Sequence, residues 1–139
     1  MQIRKRTHKG RLSYVQTLDQ TIWKGKYAGV ALESARIVES QLKAAELAIK
    51  RTIRKNGESF IRISPNISVT SKPAEVRMGK GKGSFKHLIS RVTAGTIIFE
   101  LQTNEILARQ AFKIASSKLP LKLRFVSCTS PSLAATPLP

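Results

Sequence analysis

Ile-Val-Glu-Ser-Gln-Leu-Lys-Ala-Ala-Glu-Leu-Ala-Ile-Lys-Arg-Thr-Ile-Arg-Lys-Asn, from Ile37 to Asn56, is the clearest helical stretch of the chain. Leu42, Ala45, Ile49 and Ile53 recur at spacings of three and four, so they share one apolar face. Glu39 with Lys43 and Glu46 with Lys50 are i,i+4 pairs in the favoured orientation, each adding roughly 0.2–0.5 kcal/mol. Lys50, Arg51, Arg54 and Lys55 crowd the last turns, where the helix dipole favours cations. Gly57 is placed to end the helix as a C′ residue. The start is weakly specified, because no Ser, Thr, Asp or Asn directly precedes Glu39.

Outward from this helix the chain reads as short strands and one more helix. Upstream, Val15 to Tyr27 is mixed and suits a short strand or two, with Trp23 read as a core anchor rather than a base-stacking platform. Downstream, Phe60 to Ile63 and Ile67 to Ser71 read as strands separated by a Pro65-Asn66 turn. Leu88 to Val92 and Thr96 to Leu101 read as two more, joined through Thr93-Ala94-Gly95 as a hairpin. A second helix, capped by Thr103 or Asn104, runs to Lys118 with Leu107, Ala111, Ile114 and Ala115 inward, and Pro120 stops it. Leu121, Leu123 and Phe125 alternate with Lys122 and Arg124 as a half-buried strand. Two helices among roughly six mostly antiparallel strands make a single α+β domain. Its expected limits are 14–128, with a basic arm over 1–13 and a disordered, proline-bearing tail over 129–139.

The 139 residues carry 25 Lys and Arg against 8 Asp and Glu, a formal charge of +17, with 41% hydrophobic residues to build a core. Such a charge opposes compactness unless a counter-charge is at hand, and nucleic acid is the leading source of one. No apolar run approaches the ~18 residues of a spanning helix, so a membrane is not expected as partner. Cys128 is the lone cysteine and excludes an intramolecular disulfide framework. The N-terminus is basic without a following apolar core, which is not a signal-peptide pattern.

Two stretches carry the charge. Met1 to Arg11 holds Arg4, Lys5, Arg6, Lys9 and Arg11 without an acid, the composition of an arm that lies along phosphate. Lys72 to Ser84 reads Lys-Pro-Ala-Glu-Val-Arg-Met-Gly-Lys-Gly-Lys-Gly-Ser. There Gly79, Gly81 and Gly83 alternate with Lys80 and Lys82, behind Arg77 and Met78. Glycine at every second place lets the backbone take positive φ and approach a neighbouring surface closely. A catalytic constellation is missing from the sequence. His8 and His87 lack partners at zinc-ligand spacing, no carboxylates cluster for a divalent metal, and Lys82-Gly83-Ser84 lacks the order and spacing of a phosphate-binding loop. Neither enzymatic activity nor a cofactor is expected.

Lys72 to Gly83, together with His8-Lys9-Gly10-Arg11, Gly25-Lys26-Tyr27, Gln41 to Arg51, Phe60-Ile61-Arg62-Ile63, Leu107-Ala108-Arg109 and Ser117-Lys118-Leu119-Pro120, resembles one family in order. It is the universal large-subunit ribosomal protein sixteen of bacterial and organellar type. The resemblance covers about Arg4 to Ser127. It implies a structural constituent of the large ribosomal subunit, supporting late assembly and tRNA positioning near the peptidyl-transferase centre. The implied partners are large-subunit rRNA, tRNA at the aminoacyl site and neighbouring ribosomal proteins. The rRNA would be met by Arg4, Lys5, Arg6, Lys9, Arg11, Lys24, Lys26, Lys50, Arg51, Arg54, Lys55 and Lys72. Facing the tRNA site would be Arg77, Met78, Gly79, Lys80, Gly81, Lys82 and Gly83. Departures at Val38-Glu39-Ser40, Phe85-Lys86-His87-Leu88 and Gln102 to Asn104 lead to a mitochondrial rather than plastid or bacterial setting. The competing function is a free-standing regulatory RNA-binding module, although no helix-turn-helix, RRM or zinc-finger pattern appears.

Overall fold

Ile97 to Leu101 form five consecutive buried residues, so this segment must be covered on both faces. In the computed structural model, which describes residues 7–12, 21–79 and 81–128, it is central to the larger of two antiparallel sheets. The elements in chain order are β1 (Tyr27–Ala31), β2 (Ala35–Val38), α1 (Glu39–Ile53), β3 (Glu58–Ile61), β4 (Ile67–Ser71), β5 (Ser84–Val92), β6 (Ile97–Gln102), α2 (Glu105–Ser116) and β7 (Leu123–Ser127). The four-stranded sheet has the order β3-β6-β1-β7 and the three-stranded sheet β2-β5-β4. Every pairing is antiparallel, as the α+β reading requires.

The first helix buries the four residues its spacing selects, Leu42, Ala45, Ile49 and Ile53. Its missing cap is partly made good by Gln41, whose Oε1 accepts the Val38 N–H at 3.0 Å. The expected stop at Gly57 is displaced. The chain turns at Arg54, which takes φ +51 while its N–H reaches the Lys50 carbonyl at 2.8 Å. Gly57 serves another purpose: a Cβ there would lie 2.2 Å from the Gln102 carbonyl oxygen, so its absence lets β3 start against the end of β6.

The second helix turns a different face inward from the expected one. Ala108, Ala111, Phe112 and Ala115 are buried, whereas Ile114 is exposed and Leu107 half-buried. Three alanines let α2 pack against α1, and the Phe112 ring lies on Gly29 of β1, where a Cβ would be 2.7 Å from it. Asn104 stands at the N-cap without a side-chain hydrogen bond.

The hairpin expected through Thr93-Ala94-Gly95 is absent. β5 and β6 belong to different sheets, and the turn instead docks on the end of β1. Gly95 N–H donates to the Ala31 carbonyl at 2.8 Å and Ala94 N–H to Ser34 Oγ at 3.0 Å. The hairpin of the smaller sheet is β4–β5, closed at Ser71↔Ser84 and connected by residues 72–83. Residues 1–6 and 13 of the arm, residues 15–20 of the mixed stretch expected to hold a strand or two, and the whole tail lie outside the described residues.

Candidate nucleic-acid interface

Three groups of cations are set on this frame. The first begins with residues 7–11, which are tied to every strand of the smaller sheet. Thr7 Oγ1 accepts the Ser68 N–H at 3.1 Å on β4. The Gly10 carbonyl accepts from Arg36 Nη2 of β2 at 2.8 Å, and the Arg11 carbonyl from Arg91 Nη1 of β5 at 3.5 Å. Gly10 takes φ +64 with the Arg91 guanidinium packed where a side chain would stand. Arg36 and Arg91 are register partners, so two cations absent from the expected set stand beside the exposed Lys9 and Arg11. Arg4, Lys5 and Arg6 lie outside the described residues.

The second group surrounds Phe60. The last turn of α1 and the start of β3 line a shallow groove that includes Lys50, Arg54 and Phe60, and Lys24 Nζ stands 5.5 Å from the Phe60 ring centroid. Lys24, Lys26, Arg51, Arg54 and Lys55 are exposed. Lys50 is paired with Glu46 at 2.6 Å, as the i,i+4 spacing foretells.

What holds Lys24 in place is a buried carboxylate that the sequence did not single out, while the Lys26 N–H donates to the Leu101 carbonyl at 2.9 Å. Glu100, on β6, is fully buried. Its Oε2 accepts the N–H groups of Lys24 at 2.8 Å and Gly25 at 3.2 Å. Its Oε1 accepts the Trp23 N–H at 3.3 Å and meets the Arg62 guanidinium. Burial pushes the Glu100 carboxyl up, but the hydrogen bonds from Lys24, Trp23 and Arg62, and the charge of Arg62, outweigh it and hold the pKa below its ordinary value. The expectation that Trp23 anchors the core is overturned: its side chain lies outside, 74% exposed, with the Arg62 guanidinium carbon 4.2 Å from its ring centroid. The available signal was a single acid inside the apolar run Ile97-Ile98-Phe99-Glu100-Leu101, since a buried charge needs a partner.

The third group is the loop 72–83. Lys72 Nζ donates to the Gly79 carbonyl, so this cation is engaged within the loop. Gly83 forms a neck, where a Cβ would be 2.5 Å from the Ser71 carbonyl carbon and oxygen. Gly79 and Gly81 take φ +96 and +85 with nothing near the place of a side chain. Arg77, Met78 and Lys82 are exposed, Met78 to 99%. Lys80 lies outside the described residues. Among the described residues, no group of three His, Cys, Asp or Glu could hold a metal ion, and no helix is long and apolar enough to cross a membrane.

A small α+β domain with cations beside both sheets and on a glycine-rich hairpin has the footprint expected of a basic scaffold protein for nucleic acid. Residues 2–126 match the family described as Ribosomal protein L16p/L10e. Relatives called large ribosomal subunit protein uL16 are 40% identical in Rhodopseudomonas palustris, across 88% of this chain and 90% of theirs. Those of Paramagnetospirillum magneticum are 42% identical over the same shares, and of Thioalkalivibrio sulfidiphilus 43% over 76% and 77%. The chain belongs to this family of large-subunit ribosomal proteins, as a structural component of the ribosome and not an enzyme.

Proposed function

We propose that the chain binds large-subunit rRNA and supports tRNA placement at the aminoacyl site, near the peptidyl-transferase centre, and late subunit assembly. The observation that carries this reading is the hairpin loop. Arg77, Met78 and Lys82 stand in solvent beyond a close-packed neck, with open space around Gly79 and Gly81. A planar guanidinium there suits bidentate grip on phosphate, which lysine does not reproduce. Anchoring falls to the arm over residues 1–13, the cations around Phe60, and Arg36 with Arg91.

The test is reconstitution of large subunits with Arg77→Ala or Gly81→Val, measuring protein occupancy and aminoacyl-tRNA binding side by side. Near-normal occupancy with weaker or slower tRNA binding supports the reading. Collapse of occupancy with normal tRNA binding to the remaining filled subunits makes the loop an anchor and overturns it.

The compartment proposed is the mitochondrial matrix, supported by the departures at Val38-Glu39-Ser40 and Phe85-Lys86-His87-Leu88. The relatives named are bacterial, so bacterial cytoplasm is the opposing outcome. Cosedimentation of the tagged chain with ribosomes from purified mitochondria decides it.

A further inference from the structure

Trp23 is a large apolar ring held in water, fixed by named partners. Its backbone N–H is fixed by Glu100 Oε1 at 3.3 Å, and its indole Nε1–H donates to Thr21 Oγ1 at 2.9 Å, which sets the ring's rotation. Arg62 lies over the ring with its guanidinium carbon 4.2 Å from the centroid. Arg62 is in turn locked by the buried Glu100. With the guanidinium on one side and the residue 74% exposed, the other ring face is open. Lys24 and Lys26 follow at once, both exposed. Glu100, the carboxylate in contact with this corner, is turned inward and fully buried, so it does not repel an anion.

We propose that Trp23, backed by Arg62, is a stacking site for an unpaired RNA nucleobase, with Lys24 and Lys26 taking the phosphates beside it. The proposal rests on the RNA-binding reading above and adds a specific ligand and residue to it. Base faces are available only where bases are unstacked, so the segment recognised is single-stranded, a loop or a bulge. An aromatic face with interleaved cations is the usual construction for such segments. The guanidinium occupies one face of the indole by a cation–π contact and leaves the other face for the base. Glu100 is a positioning residue here, touching the platform and not the base.

Trp23 is the one tryptophan of the chain, so its fluorescence reports on this site alone. The probes are oligoadenylate and an abasic oligomer of equal length and charge. Oligoadenylate should quench the emission and the abasic oligomer should not. Anisotropy of labelled oligoadenylate should show Trp23→Ala binding roughly tenfold more weakly and Trp23→Phe nearly as well as the parent. The salt slope should be unchanged, since no phosphate contact is lost. The exposed side chain makes both variants compatible with the fold, which circular dichroism verifies. Equal quenching by both probes, or undiminished affinity of Trp23→Ala, overturns the stacking site while leaving RNA binding intact. Failure of the parent chain to bind either probe overturns both readings.

Discussion

Replacing Glu100 by glutamine keeps the shape of the side chain and removes its charge. The carboxylate serves four donors: the N–H groups of Trp23, Lys24 and Gly25 and the Arg62 guanidinium. Glutamine offers one accepting oxygen and turns an NH₂ group toward donors that need an acceptor. Arg62 also loses its counter-charge while its side chain is only 22% exposed. Removing one partner of a buried pair costs about 3–5 kcal/mol. The partial exposure of Arg62 lets water recover some of this, so the expected loss is about 3 kcal/mol. With a urea slope of roughly 1–3 kcal/mol/M, the midpoint should fall by about 1–3 M at neutral pH.

The same variant fixes the pH dependence. Because the folded-state pKa of Glu100 is depressed below 4.5, its ionised form stabilises the fold. That contribution is complete above the unfolded value and disappears as pH falls through the lower folded one. The gap between parent and Glu100→Gln should therefore close in acid, below about pH 4. Urea unfolding of both chains from neutral pH into that range measures it. A neutral-pH difference under about 1 kcal/mol, or one that widens on acidification, refutes the account of Glu100 as the charged clasp of residues 23–25.

Three further outcomes are expected. Gly83→Ala should destabilise the β4–β5 hairpin, because the new Cβ would stand 2.5 Å from the Ser71 backbone; hydrogen exchange at Ser71 and Ser84 should accelerate, and unchanged protection would contradict the close-packed neck. Arg54→Gly should raise stability by up to about 1 kcal/mol by relieving a non-glycine residue at φ +51, with a lowered melting temperature as the opposing result. Charge reversal of Arg4, Lys5 and Arg6 together should weaken incorporation into subunits without unfolding the domain, and should flatten the salt dependence of RNA binding by roughly 0.7–0.9 log units per lost phosphate contact. An unaltered slope would remove the arm from the interface.

The helices were legible where periodicity alone decides and illegible where size misleads. In α1 the apolar spacing and the buried face coincide. In α2 the large Ile114 faces outward while Ala108 and Phe112 go in, because close helix packing and the glycine on β1 select small residues and one ring. β2 was hidden because Val38, four residues before Leu42, continues the helical spacing of α1, and β1 because Tyr-Ala-Gly-Val-Ala lacks alternation when both faces are covered. The hairpin turn at 93–95 was misread because local residues specify a turn, not the sheet its strands join. Of the interface, the cations could be named but not their engagement. Lys72 serves the loop itself, Lys50 is paired, and Arg36 and Arg91 come together only through the register of β2 and β5.

On the proposed reading, a division of labour between anchor and loop follows from the cost of ordering. Fixing residues 77–82 against a partner costs about 6–12 kcal/mol at roughly 1–2 kcal/mol per residue. Charged contacts from Arg77, Lys80 and Lys82 return about 4.5–9 kcal/mol at roughly 1.5–3 each. The two sums are of the same order, so ordering the loop offsets much of what its contacts return. Residues 7–11 are in the opposite position, because hydrogen bonds to β2, β4 and β5 order them before any partner arrives. The corner at Trp23 is likewise ordered in advance by Glu100. Contacts made by these parts lose less to backbone ordering. On the proposed reading, a loop whose neck is fixed at Gly83 and whose contacts are largely offset by ordering is suited to report on a partner more than to hold one. Substitutions at the tip should therefore alter what the assembled particle does before they alter whether it assembles.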